Sequence, residues 1–377
     1  MRFAPYLISA VVITTIILGG AWWTSAMDTK LQTKMKEIID QHTSTWTPVV
    51  SSVTSTQTDT LRVTISEVVS VTATLTETFT ATPTVTSVVH ALATTDPHPD
   101  NSKIVILMGS NFQNDANSPL HPFAQSIIKN RREYAERHGY KFEFLDADAD
   151  AYASRVTGHL MPWVKVPMLQ DTMKKYPDAE WIWWLDHDAL VMNKDLNVVD
   201  HVLKHDRLNT ILTREAEYKS GAGIPADGFR TPKDQDAKDV HFIISQDFNG
   251  INAGSLFIRN SEVGRWIVDL WFEPLYLDHI QGYAEQQAFS HMVFYHPQVY
   301  KHVGVVPLKA INAYDFDDNI WGYDDGDLCI HFAGCNYFKN CPEKFLKYAQ
   351  ILSSKQGSDW MSAQEKDHIQ NLLKPSS

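Results

Sequence analysis

WIWWLDHDALVMN, residues Trp181 to Asn193, opens with five apolar residues, delivers two carboxylates one residue apart, and returns to Ala189-Leu190-Val191-Met192. A short run that is apolar on both faces reads as a central strand of a covered, mostly parallel sheet. Acids at the carboxyl end of such a strand stand where open α/β sheets bind ligands. Neither Asp186 nor Asp188 has a Lys or Arg next to it in sequence. A divalent cation would supply the missing charge, and oxygen donors suit Mn or Mg. The competing reading is a strand-end turn whose aspartates cap backbone amides. The tryptophan-rich strand in front favours the metal.

Upstream, Lys103 to Met108 is a compact strand ending in Gly109-Ser110-Asn111, a plausible first unit of a nucleotide-binding sheet with Gly109 and Ser110 near the ligand. A helical pattern runs from Pro122 to His138 and stops at Gly139; Tyr140 to Leu145 is a second strand, followed by an acidic turn to Asp150. Pro162 to about Tyr176 is a second helix, carrying Lys165 within reach of a phosphate. This alternation predicts a parallel sheet with right-handed crossovers.

Downstream, Lys219 to Asp239 is rich in Gly, Pro, Asp and Lys and reads as a mobile, acceptor-side loop. Asp247 to Gly254 is dense in Asn and Gly, which lets backbone approach a ligand closely, and includes Asn252 and Gly254; a plain turn is the alternative. A strand follows to Arg259, then a helix from Ser261 to Phe272 with Trp266, Leu270 and Trp271 expected inward. Glu285 and Gln286 open a further helix, where they either complement its dipole or line the cleft. Asp327 to Cys335 is a strand carrying His331, either a satisfied core histidine or a third metal ligand whose neutral imidazole suits Mn. Cys335 and Cys341 are able to close a small disulfide loop in an oxidising lumen, which would leave Cys329 as a buried thiol.

The 377 residues suffice for one large or two ordinary domains. A net charge of −12 argues against nucleic acid as a partner, and means that a phosphate ligand needs a local device such as a metal. Eleven tryptophans and fourteen tyrosines belong mostly to the core, although aromatic rings also line carbohydrate sites by stacking on sugar C–H groups.

Residues 1–5 form a short tail and residues 6–23 an uncharged run. Eighteen residues rise about 27 Å as a helix, enough for a thin bilayer. Trp22-Trp23, where small residues should precede a cut, favour an uncleaved signal-anchor over a cleaved signal peptide. Residues 24–100 are a stem: a short amphipathic helix around Leu31 to Ile39, able to pair with a second chain, then a Ser/Thr-rich stalk of the O-glycosylated kind. Residues 101–377 are the catalytic domain, and no Asn-x-Ser/Thr sequon occurs in the chain.

With these pieces assembled, the region from about Lys103 to Cys341 resembles glycosyltransferase family 34. Four segments carry the likeness, in the family's order: WIWWLDHDALVMN, NGINAGSLFIRN (Asn249 to Asn260), AEQQAF (Ala284 to Phe289) and HFAGC (His331 to Cys335). The family includes fungal α-1,2-galactosyltransferases, α-1,6-mannosyltransferase subunits of mannan synthesis, and plant xyloglucan xylosyltransferases. The resemblance implies an α/β GT-A fold, Rossmann-like with a mostly parallel central sheet, in a single-pass type II Golgi membrane protein with a lumenal catalytic domain. It implies metal-dependent, retaining transfer from a nucleotide-sugar donor to a glycan acceptor. By it, Asp186, Asp188 and His331 match the metal ligands (Mn2+ or Mg2+), and Glu285 and Gln286 catalytic positions. Gly109, Ser110, Lys165, Asn252, Gly254 and Gly334 fall on the donor side. Plant members carry Lys directly after the Gly-Cys pair, where this chain has Asn336, so phosphate contact passes to Lys165 or Lys339. The spelling of the Asp-x-Asp segment points to UDP-galactose. The alternatives are a GDP-mannose-dependent α-1,6-mannosyltransferase, or a scaffold subunit of a mannan polymerase complex that needs no intact metal ligands.

Overall fold

The computed structural model describes residues 99–367, apart from positions 113, 222, 223, 281, 357–359 and 364. The expected anchor, and the expected stem up to residue 98, lie outside the described residues. Among the described residues no helix is long and apolar enough to cross a membrane.

The principal elements are β1 (Ile104–Ser110), α1 (Ala124–His138), β2 (Lys141–Asp146), α2 (Lys165–Lys175), β3 (Trp181–Leu185) and β4 (Ala189–Val191). They continue with β5 (Phe242–Asp247), β6 (Gly250–Arg259), α3 (Glu262–Trp271), α4 (Ala284–Tyr295), β7 (Val303–Val305), β8 (Ala313–Tyr314), β9 (Cys329–His331) and α5 (Cys341–Gln356). Six strands form one sheet in the order β2-β1-β3-β6-β5-β7, and three form a second, β4-β9-β8.

The first three strands pair in parallel, as their alternation with helices predicts, and β5 pairs in parallel with β7. Within the six-stranded sheet β6 alone runs antiparallel, against both β3 and β5. A tight hairpin causes the reversal. Asp247 pairs with Gly250, Phe248 and Asn249 make the turn, and Gly250 adopts φ 92°, a left-handed backbone open to glycine. The turn expected over Asp247 to Gly254 is therefore shorter than the sequence suggests: Ile251 to Gly254 lie buried inside β6.

Side chains of β3 alternate between two apolar layers. Trp181 and Trp183 face a layer with Tyr134 of α1, Val199 and Leu208, where Trp183 stacks on Phe257 at 5.1 Å and 11°. Ile182 and Trp184 face the layer built from α2, α3 and α4, with Leu169, Ile267, Trp271 and Phe289. Burying each such side chain contributes about 1.5–3 kcal/mol. In α3, Gly264, Ile267, Val268 and Trp271 form the buried stripe at helical spacing, so Trp266 falls off it and is 47 % exposed, contrary to the expected inward packing. A third apolar layer joins β4 and β9 to α1 and α5 through Leu190, Ile330, Ile127 and Phe345. Cys335 and Cys341 form a disulfide and Cys329 is a buried free thiol, the pairing that was open in the sequence. The Lys219 to Asp239 segment is a long connection, fastened where the Tyr218 amide donates to Phe229 O at 3.0 Å and the Ala226 amide to Ser220 Oγ at 2.8 Å.

His241, at the entry to β5, is half-buried, with Nδ1 2.7 Å from Ser261 Oγ and its ring against His302. Burial, with the Arg259 and His302 charges, pulls its pKa down to about 4. Above the ordinary histidine value of about 6.5 both folded and unfolded chains leave this ring neutral. Between about 6.5 and 4 the unfolded chain takes up a proton that the fold refuses, so stability falls with falling pH in that window. The drop in Tm between pH 6.5 and pH 4 is expected to shrink in His241→Gln; an unchanged drop would remove His241 from the acid response.

Candidate metal and donor site

β3 ends at Leu185 in the large sheet and β4 begins at Ala189 in the small one, so Asp186-His187-Asp188 is the crossing between them. β4 pairs antiparallel with β9, with Ala189 opposite His331, and that register carries His331 to the crossing. One ligand atom each from Asp186, Asp188 and His331 lies within 4.8 Å of the others. Among the described residues no other group of three His, Cys, Asp or Glu comes together in this way. The carboxylate side chains are 28 % and 19 % exposed and the imidazole 4 %, so the acids open to solvent and the imidazole backs them.

The backbone of the crossing is held from behind by α1. Arg131 is fully buried, and its Nη2 donates to the carbonyls of Asp186 and Ala189, each at 2.7 Å. Burial pulls the guanidinium down to about 9, still charged at neutral pH. Asn130 imitates a strand partner: its Nδ2 donates to Val191 O at 2.9 Å and its Oδ1 accepts from Val191 N at 2.7 Å. Across the crossing, the Asp186 amide donates to Gly254 O at 2.7 Å and the Phe332 amide to Asp188 O at 2.8 Å.

A lysine distant in sequence neutralises part of the acid cluster. Lys165 Nζ lies 2.7 Å from Glu285 Oε1, 3.3 Å from Asp186 Oδ1 and 2.8 Å from Ala253 O, with its ring-face neighbour Trp184 at 5.3 Å. An ammonium has three donors, and these three acceptors use them. Burial lowers the pKa of the Lys165 ammonium, but the Asp186 and Glu285 charges outweigh it and hold the group above the ordinary lysine value. Burial raises Glu285, and Lys165 offsets only part of that. Lys165 is thus a bridge between two acids, with its three donors engaged; of the two lysines named, Lys339 is the exposed one.

On the other side, His331 Nδ1 meets Asn312 Oδ1 at 2.9 Å and Nε2 lies 3.3 Å from Asp188 Oδ1. Burial by itself raises the Asp188 carboxyl, but the His331 imidazole overrides it and holds Asp188 well below the usual range; burial lowers His331, and Asp188 prevails in raising it. Asn312 is fully buried and also donates to Asn252 Oδ1 at 2.8 Å, and Asn252 Oδ1 accepts the Gly254 amide at 2.9 Å. A Cβ on Gly254 would stand 2.1 Å from His331 Cε1, so the glycine is the bed on which the ring lies. With Nδ1 on Asn312, Nε2 faces the acids, and as a neutral imidazole it would offer its lone pair there to an ion. Two carboxylate oxygens and one imidazole nitrogen form a donor set that fits a divalent ion.

The remaining expected residues divide. Gln286 Oε1 accepts the Ala253 amide at 2.9 Å, which leaves its Nε2 group for a ligand. Glu285 follows Ala284, whose φ of 48° is uncommon for a residue with a Cβ, into the interior. Asn252 and Gly254 build the imidazole's support and are themselves buried or covered. Gly109 is a packing position, where a Cβ would meet Met168 Sδ at 2.3 Å, and Ser110 Oγ accepts the Phe112 amide at 3.1 Å. Gly334 takes φ 74° in the turn that follows β9, directly before Cys335. Asn130, Arg131 and Asn312 were missed in the sequence. The first two had a signal: they fall between Ile127 and Tyr134 on the inward stripe of α1, where polar residues need a buried partner. Asn312 had none, because its partners come from distant strands.

A family model for the galactosyl transferase GMA12/MNN10 family matches residues 100–342. A Schizosaccharomyces pombe protein described as an uncharacterized alpha-1,2-galactosyltransferase is 54 % identical over 375 residues, covering 100 % of both chains. The probable alpha-1,2-galactosyltransferase gmh1 of the same organism is 36 % identical over 66 % of this chain and 74 % of its own. The probable alpha-1,6-mannosyltransferase MNN10 of Saccharomyces cerevisiae is 29 % identical over 62 % of this chain and 60 % of its own. Among solved structures, the galactosyltransferase LgtC with donor and acceptor sugar analogues is similar at 12 % identity and a TM-score of 0.36, covering 67 % of this chain and 95 % of that one.

Removing the Asn312 carboxamide frees the imidazole, and such supporting partners are worth about 10–100-fold in metal affinity. Asn312→Ala is therefore expected to weaken Mn2+ binding by that factor in calorimetric titration, with circular dichroism confirming the fold; equal affinity would show that the ring is held by something else. Lys165→Met leaves Glu285 uncompensated in the interior and is expected to cost about 3–5 kcal/mol in urea unfolding. Adding Glu285→Gln should recover part of it, and additive losses in the double variant would deny the pairing.

Proposed function

The chain belongs to the galactosyl transferase GMA12/MNN10 family, glycosyltransferase family 34, and from that membership we propose a retaining, Mn2+-dependent α-1,2-galactosyltransferase using UDP-galactose and a mannan or protein-linked glycan acceptor. It is a glycosyltransferase; donor, linkage and metal identity are the proposed part. The observation that carries the proposal is the assembled Asp186, Asp188 and His331 cluster at the seam of the two sheets, its acids open to solvent and its imidazole buried behind them. The galactosyl choice is supported by the name given to the relative that shares 54 % of its residues along the whole chain.

The mixed, mostly parallel sheet with acids at the end of its central strand fits the GT-A reading. When bound, a divalent ion supplies Lewis-acid neutralisation of a diphosphate leaving group. Asp186, Asp188 and His331 Nε2 would hold it. Glu285 is 4 % exposed and tied to Lys165, and among the described residues Lys165 bridges it only to Asp186 of the metal pair. Retention through a covalent intermediate asks for an accessible nucleophilic carboxylate. We therefore assign same-face attack, in which the acceptor hydroxyl gives its proton to the departing phosphate and Gln286 Nε2 steadies the sugar. A scaffold subunit would not require the triad to be assembled. The mannosyl reading rests on the more distant MNN10 relative. A Golgi type II placement is supported by the uncharged run at residues 6–23 and by the Cys335–Cys341 disulfide, which suits an oxidising lumen.

The test uses the full chain in detergent with Mn2+ and measures hydrolysis of UDP-galactose, GDP-mannose and UDP-xylose. UDP-galactose is expected to be preferred and turnover to disappear in Asp188→Ala with the fold intact. Preference for GDP-mannose would transfer the assignment to the mannosyl branch, and full activity of Asp188→Ala would remove the metal site.

A further inference from the structure

Several large apolar side chains are left in water on two loops beside the metal cluster. Phe248, at the tip of the β5–β6 hairpin, is 50 % exposed, and Phe316, on the loop after β8, is 41 % exposed. Their rings lie 6.0 Å apart, and Phe248 is 5.7 Å from Trp321. Phe316 in turn lies 5.5 Å from Tyr314, whose ring is 5.8 Å from the His331 imidazole. A row of aromatic rings thus runs from the buried His331 and Tyr314 out to the exposed Phe316 and Phe248.

The rings are presented on a stiff frame. The Asp247 carboxylate receives the Tyr314 hydroxyl and the Asn249 amide, which ties the hairpin to β8. Asp318 Oδ1 accepts from the amides of Ile320 at 2.7 Å and Trp321 at 2.6 Å, and the Tyr314 amide donates to Trp321 O at 2.8 Å. A Cβ on Gly322 would come within 2.3 Å of Phe316 O, so the loop is wound too closely for another residue there. Exposed apolar surface of this kind costs about 25 cal/mol per Å2 relative to burial, and hairpin turns do not ask for phenylalanine. Contiguous exposed apolar surface marks a binding site. Asp317 and Asp318 follow Phe316 in sequence, whereas Asp315 is turned to Lys344, Lys347 and Tyr348 of α5; the first two disfavour an anionic nucleotide and favour a neutral ligand. Ring faces match the C–H face of a pyranose.

We propose that Phe248, Phe316 and Trp321 form the acceptor subsite, stacking on a pyranose ring of the acceptor glycan on the His331 side of the metal cluster. This rests on the transferase reading above. The test follows binding of α-1,2-linked mannobiose to the full chain by saturation-transfer NMR, without turnover. Phe248→Ala and Phe316→Ala are each expected to weaken binding about tenfold, since a lost ring contact removes its specific stacking together with its buried area. Phe248→Tyr, which keeps the ring, should bind as the parent does. Mn2+ titration of the same variants reports whether the metal site is still assembled. Alanine variants that bind mannobiose like the parent overturn the proposal, as does a parent that does not bind it, or a parallel loss of Mn2+ affinity in the alanine variants. Failure of the parent to hydrolyse any nucleotide sugar counts against the transferase reading alone, because the binding measurement needs no reaction.

Discussion

Arg131 has to stay charged inside the protein, and the site depends on that. A buried guanidinium without partners would be prohibitive. Here it is accepted because the chain, crossing from one sheet to the other between Leu185 and Ala189, leaves the carbonyls of Asp186 and Ala189 pointing at α1. Neither sheet can take those carbonyls into its own ladder. The guanidinium satisfies both with one planar group, and Asn130 completes the hold at Val191. The side chains of the crossing are then free to turn the other way.

Charge in front of the crossing is arranged in two halves. Asp186 shares an ammonium with Glu285, and Asp188 shares an imidazole with the Asn312 network. Each acid therefore faces a cationic or imidazole partner from a distant part of the chain, and the pair is not left to repel itself. The tryptophans on both faces of β3 do more than fill space. Trp184 Nε1 donates to Asp186 Oδ1 at 2.5 Å, and its ring face lies beneath Lys165.

Much of this was legible in the residue order. Period and composition located β1, β2, β3 and the helices between them, and the Asp-x-Asp at the end of an apolar run marked the site. His331 stood out as a histidine in an apolar strand. What escaped was long-range. The lack of a neighbouring cation beside Asp186 was true in sequence and untrue in space, since Lys165 arrives from α2. The Asn-Gly stretch looked like a loop because Asn252 and Gly254 are poor strand formers by composition; a fully buried asparagine from another segment and an imbedded imidazole ring explain both. The direction of β6 was also hidden, because a hairpin two residues long and a longer loop share the same turn residues.

The ligands of the cluster come from distant parts of the chain: Asp186 and Asp188 from the crossing after the third strand, His331 from the ninth strand. Chains grow from the amino end, so both acids emerge well over a hundred residues before the imidazole that completes them. Until β9 slots against β4, the two carboxylates are an unfinished pair beside an incomplete small sheet. Competence thus arrives late in synthesis, and a nascent or truncated chain lacking the last stretch carries the recognisable acidic motif with no working centre around it.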